Sequence, residues 1–94
     1  MTRVVRITPR YRRNADRLSV VTGSSRGLAV GLTIAALADE DTLPGPHDVR
    51  AAVPPTGSAY VRRVLGRNLW IWYTFSGAEV ALVALTGDPP VPLD

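Results

Sequence analysis

From Tyr60 to Leu85 the chain alternates short apolar runs with turn residues. Tyr60–Leu65, Leu69–Phe75 and Glu79–Leu85 are rich in Val, Trp, Tyr, Leu and Ile, and Gly66-Arg67-Asn68 and Ser76-Gly77-Ala78 separate them. Loops of that length and composition join antiparallel strands, so the segment predicts a three-stranded meander. The middle run is apolar on both alternating faces, with Leu69, Ile71, Tyr73 and Phe75 on one and Trp70 and Trp72 on the other. A strand of that kind is expected in the centre of a sheet. At least one of its aromatic faces must be core, either the Tyr73 face or the tryptophans packed under helices with Tyr73 and Phe75 outside. One of Arg62 and Arg63 shares the tryptophan face, and the hairpin register decides which.

Upstream, Arg3–Ile7 is a short β-prone run. Thr8-Pro9 then reads as an N-cap followed by proline at the first helical position, where the missing N–H costs nothing. Tyr11, Ala15 and Leu18 form a narrow apolar stripe for a helix running to about Val21, with Gly23 placed to close it. Arg10, Arg13 and Arg17 line a different face, on which Arg13 can reach Asp16, as on a solvated helix surface. A second helix starts at Ser24 or Ser25 and continues to about Ala38. Its Gly27, Gly31 and Ala35 make a ridge without bulk, while Leu28, Val30, Leu32, Ile34 and Leu37 cover much of the remaining circumference. That pattern predicts the more buried helix, its ridge closely approached by another element. Asp39, Glu40 and Asp41 follow, where the helix dipole disfavours negative charge unless arginines pair with it. The segment from Thr42 to Gly57 contains Pro44, Pro46, Pro54 and Pro55 and reads as an extended connector. The predicted class is α+β, one domain over residues 1–94: a short N-terminal strand, a two-helix hairpin and a three-stranded antiparallel meander, in the order β-α-α-β-β-β.

Ninety-four residues suffice for one modest core and leave no room for a second catalytic domain. Cysteine is absent, which removes disulfides, thiolate metal sites and thiol nucleophiles. The longest apolar run, Leu28–Ala38, falls short of the ~20 residues that span a bilayer. The Arg-rich start has no adjoining apolar stretch of a secretory signal, so the expectation is a cytoplasmic protein without membrane association. All 11 basic residues are arginine, and six of them (Arg3, Arg6, Arg10, Arg12, Arg13 and Arg17) lie in the first seventeen residues against one acid, Asp16. Such asymmetry fits an anionic partner, a nucleic acid or an acidic protein segment; a GC-rich coding sequence produces the same Arg-for-Lys bias.

Two short motifs point to catalysis. Gly23-Ser24-Ser25-Arg26-Gly27 matches the G-x-S-x-G nucleophile elbow, which needs a preceding strand and a histidine base, but the one histidine, His47, sits among prolines. Helix capping accounts for these serines better. Leu18–Leu37 resembles the first turn of short-chain dehydrogenases through Thr22, Gly23 and Gly27, with Ala29 in place of the third glycine. That family's Tyr-Lys pair cannot occur here, and a meander does not continue a doubly wound sheet.

Element order, length and the ending RRVLGRNLWIWYTFSGAEVALVAL resemble the RelE/ParE superfamily of toxins from toxin–antitoxin operons. Tyr60, Arg63, Val64, Ile71, Tyr73, Val80 and Val83 can be laid onto its strand pattern. The resemblance implies a toxin held in a hetero-oligomer by a cognate antitoxin and, in the ribosome-dependent RNases, mRNA held and cleaved by strand arginines. Trp70 stands where a strand arginine is common, and the tail Thr86–Asp94 has no His, Tyr or basic residue. The catalytic candidates are therefore Arg62, Arg63 and Arg67, with Arg50, Arg13, Arg17, Trp70 and Trp72 as nucleic-acid contacts. No cofactor or metal is implied. A ParE-like inhibitor of DNA gyrase, without RNase activity, is the alternative inside the superfamily, and a noncatalytic protein- or nucleic-acid-binding module the alternative outside it.

Overall fold

In the computed structural model, which describes residues 2–55 and 57–93, seven elements form an α+β domain. They are β1 (Val4–Ile7), α1 (Pro9–Arg17), α2 (Ser25–Asp39), β2 (Val49–Ala52), β3 (Ser58–Arg63), β4 (Trp70–Phe75) and β5 (Glu79–Thr86). Asp94, the last residue of the tail, and Thr56 of the connector lie outside the described residues.

The expected meander is present as β3-β4-β5, with β4 central and antiparallel to both neighbours. The sheet is larger than predicted, however, having five strands in the order β1-β5-β4-β3-β2, and it is mixed, because β1 runs parallel to β5. The additional strand, β2, falls in the proline-rich connector. Its four residues, two of them alanine, carry little strand propensity of their own, and pairing with β3 supplies the strand.

Both helices begin as the sequence dictates. Thr8 and Ser24 sit in extended backbone as N-caps and accept from the amides of Tyr11 and Gly27. Helix α1 stops at Arg17 rather than near Val21, because Leu18 caps it and Ser19 turns into the left-handed region at φ 55°, where serine is uncommon. Gly23-Ser24-Ser25-Arg26-Gly27 thus runs from the turn after α1 into the first turn of α2, with no strand before it. Ser24 Oγ donates to the Val21 carbonyl and accepts from Gly27, and a Cβ at Gly27 would fall 2.0 Å from that same carbonyl oxygen. Those contacts account for the motif without nucleophile or dinucleotide.

The core lies between the helices and one sheet face: Tyr11, Val30 and Leu37 from the helices meet Leu69, Ile71, Tyr73, Val80, Leu82 and Leu85. Of the two aromatic faces of β4, the Tyr73 face is therefore the buried one. Helix α2 is the more buried of the two, with Val30, Thr33, Leu37 and Ala38 buried, compared with Tyr11 in α1, although Leu28 and Leu32 are exposed. Its small-residue ridge is closely approached at Gly27 but not at Gly31, where a Cβ would meet nothing within 4 Å. The acidic end of α2 is held by Arg3, whose guanidinium donates to the carbonyls of Ser76, Glu40 and Asp41 and lies 5.9 Å from the Phe75 ring centroid. Carbonyls left free at a helix end thereby gain partners, and α2 is tied to the β4–β5 turn.

Candidate nucleic-acid interface

The register of the β3–β4 hairpin fixes which arginine joins the tryptophans. Arg62 stands opposite Ile71 and Arg63 opposite Trp70, so Arg63 shares the open face with Trp70 and Trp72, and Arg62 lies on the helix-covered face. The Arg63 guanidinium sits 5.6 Å from the Trp70 ring centroid and is steadied by the Arg67 carbonyl at 3.0 Å and Asn68 Oδ1 at 3.1 Å. A guanidinium over an indole at that distance is a cation–π contact.

The second half of the face comes from α1. Where β1 ends, the edge of β5 is taken over by polar groups of the helix segment: Thr8 Oγ1 donates to the Leu82 carbonyl at 2.7 Å, and Asn14 Oδ1 accepts from the Leu85 amide at 3.1 Å. Opposite them, β5 carries one extra residue, Val83, because Trp72 pairs with Ala84 and Tyr73 with Leu82. Such a bulge re-aims the side chains around it. Tyr11 and Ala15 go into the core, and Arg10, Arg13 and Arg17 line a cleft of about 380 Å³ shared with Trp72, Thr86 and Pro54. The Trp72 indole N–H donates to Thr86 Oγ1 at 3.1 Å, and Arg10 Nη2 donates to the Pro54 carbonyl at 3.0 Å, which spans the cleft.

No carboxylate among the described residues lines this cleft. Among the described residues Arg13 forms no salt bridge with Asp16, and none of Arg10, Arg13, Arg17 and Arg63 has an ionic partner. Three helix arginines beside an oriented indole, with a fourth on Trp70, make an electropositive aromatic surface. It can clamp phosphates through guanidinium forks and stack bases on indoles. Among the described residues that line it, none is able to act as a general base near neutral pH, since arginine keeps its proton.

The remaining predicted site residues lie elsewhere. Arg50 stands opposite Tyr60, on the register of the other sheet face. Arg67 Nη2 donates to Ser25 Oγ at 2.7 Å, joining the β3–β4 loop to the start of α2. Arg62 is doubly paired: it forms a fork to Glu40 at 2.6 and 2.8 Å and a second fork to Asp48 at 2.8 Å for both contacts. Asp48 Oδ2 also accepts from the Tyr73 hydroxyl and from the Gly45 amide. A Cβ at Gly45 would lie 2.4 Å from Arg62 Nη2, so a residue without one is what admits the guanidinium. Arg62 faces two carboxylates and has no free edge for a phosphate.

These contacts set the ionisation of the cluster. Burial alone would push the Asp48 carboxyl up, but the Arg62 guanidinium, the Tyr73 hydroxyl and the Gly45 amide outweigh it and hold the carboxyl below its ordinary value. The forks to Glu40 and Asp48 raise Arg62 further. Tyr73 is raised by burial and by its bond to Asp48, and burial pushes Tyr11 up to about 12. A depressed carboxyl contributes stability that is present above about pH 4 and lost as pH falls; a raised tyrosine contributes stability that is present below about pH 10 and lost as pH rises. The urea midpoint is accordingly expected to be flat between these limits, falling below about pH 4 and again between about pH 10 and 12. A midpoint unchanged across the alkaline range would contradict the buried state of both tyrosines.

Among the described residues no helix is long and apolar enough to cross a membrane. Comparisons with protein-family models, curated proteins and solved structures found no match.

Proposed function

We propose that this chain is a RelE/ParE-like toxin that grips a single RNA strand on its open sheet face, with mRNA on the ribosome as the target. The observation that carries the reading is the convergence of Arg10, Arg13 and Arg17 from α1 with Arg63, Trp70 and Trp72 from the hairpin, on one face and without an ionic partner among the described residues. Two indoles and four guanidiniums suit alternating bases and phosphates, and stacking on an aromatic side chain contributes about 1–3 kcal/mol per base. Arg63 and the α1 arginines take the phosphate-binding role, while Arg62 serves the fold.

The same charge defines the antidote. An antitoxin segment rich in Asp and Glu, laid into the cleft, would pair the arginines and cover the indoles, giving the hetero-oligomer typical of such systems. Cleavage, if the bound strand is cut, rests on charge stabilisation of the phosphate by Arg63 and not on proton abstraction by a protein base.

Induced expression in a bacterial host tests the reading. Growth and translation are expected to stop, and the joint substitution Trp72→Ala with Arg63→Ala to abolish the arrest while the protein stays folded. Arrest that survives both changes would refute the RNA-gripping mechanism. Arrest accompanied by DNA-damage signalling would point instead to gyrase, and the absence of arrest to a noncatalytic binding module.

A further inference from the structure

The helix-covered side of the sheet carries a surface that the RNA reading does not use. On the outer face of α2, Leu28 and Leu32 are 61% and 73% exposed, and Leu65, which shares a groove with Leu32, is 91% exposed. Next to the Leu28–Leu32 row runs a row of small residues, of which Gly31 and Ala35 are also exposed. The two glycines of that row differ in a telling way. Gly27 is demanded by the chain itself, through the Val21 carbonyl, whereas a Cβ at Gly31 would meet nothing within 4 Å. Glycine in mid-helix costs about 1 kcal/mol relative to alanine, and nothing inside this chain requires it at position 31.

Charge is polarised along the same helix. At its start Arg67 bonds Ser25, and Asp39 and Asp41 lie at its end, with no basic residue in the last turn; Arg26 falls in the core-facing register of Val30 and Leu37. A purely acidic or purely basic partner would match one end and be repelled at the other. A second copy running antiparallel matches both.

From this self-complementarity we infer that the chain forms a twofold dimer through antiparallel α2 helices. A dyad between Gly31 and Leu32 lays Leu32 of each copy on Gly31 of the other and Leu28 on Ala35. Leucine ridges thus enter grooves of small residues, as in the commonest class of helix packing. The same alignment sets Asp39 of each copy against the N-terminal turn of the other, near the Arg67 held on Ser25, where both the helix dipole and the guanidinium favour it. The contact is isologous and closes at two copies. It leaves the tryptophan face open in both, so the dimer and the RNA reading stand or fall separately.

Sedimentation of the purified full chain over a concentration series tests the inference. The expected result is a reversible monomer–dimer equilibrium in the micromolar range, as a small interface allows. Gly31→Leu fills the groove from a position where a Cβ meets nothing within 4 Å; it is expected to keep the circular dichroism and to raise the dissociation constant at least about tenfold. Asp39→Arg should weaken the dimer, and adding Arg67→Asp should restore it. A wild-type chain that stays monomeric at every soluble concentration overturns the inference, as does a folded Gly31→Leu chain that dimerises like wild type. A dimer that Asp39→Arg leaves unchanged overturns the antiparallel alignment.

Discussion

Arg62→Leu is expected to lower the stability of this domain by about 3–5 kcal/mol, because it leaves the Asp48 carboxylate buried without its counter-ion. The Asp48 side chain is 3% exposed and that of Arg62 16%, so water cannot take over the lost forks. A domain of this size has about 5–15 kcal/mol in total, and the variant should be largely unfolded at modest urea or fail to accumulate. Arg62→Lys is not a rescue. An ammonium offers no planar fork, and four fork contacts to two carboxylates are what the site holds. Glu40→Gln should cost far less, since the Glu40 side chain is 38% exposed and water can solvate what remains. Urea titration at pH 7 compares the three. A loss below about 1 kcal/mol for Arg62→Leu would contradict the structural role of this arginine and return it to the list of groups free to bind a phosphate.

Substitution on the tryptophan face should remove binding while the chain stays folded. Trp72→Ala is expected to weaken the affinity for a single-stranded RNA oligomer by roughly 5- to 150-fold, the equivalent of one stacked base. Arg13→Ala with Arg17→Ala removes two phosphate contacts, so the slope of log affinity against log salt should become shallower by about 1.4. Arg50→Ala, on the other register face, is the control and should change neither quantity. A salt slope unaffected by the α1 double substitution would show that the helix arginines do not touch the strand.

Much of this arrangement was written locally in the chain, and the rest was not. The N-caps Thr8 and Ser24 and the central position of β4 follow from capping chemistry and apolar alternation, because neighbours in sequence create both. The choice between Arg62 and Arg63 could not be read from alternation. It depends on the register across the link from Val64 to Leu69, and a shift of one residue exchanges the faces. The bulge at Val83 was equally hidden, since Val80 to Leu85 is apolar at every position and offers no parity to break. Strand β2 was masked by the prolines around it. A trace of the Arg62 cluster was nevertheless present: Gly45 and Asp48 stand in the connector, and Tyr73 lies in a strand whose other side chains carry no acid, a hydroxyl that needs a partner when buried. The most consequential element of the site, α1 lying beside Trp72, is tertiary. It follows from Thr8 and Asn14 occupying the edge of β5, which helical periodicity does not encode.

The central claim is that nucleic acid is held where the α1 arginines meet the tryptophans. An NMR titration of the labelled chain with a short single-stranded RNA tests it most directly, because the indole N–H signals of Trp70 and Trp72 report on that face alone. Both indole signals, together with the amides of Arg13, Arg17 and Arg63, are expected to move in a saturable, salt-sensitive manner while those of Leu28 and Leu32 stay fixed. Indole signals that remain still as RNA is added, or shifts confined to the α2 ridge, would contradict the account.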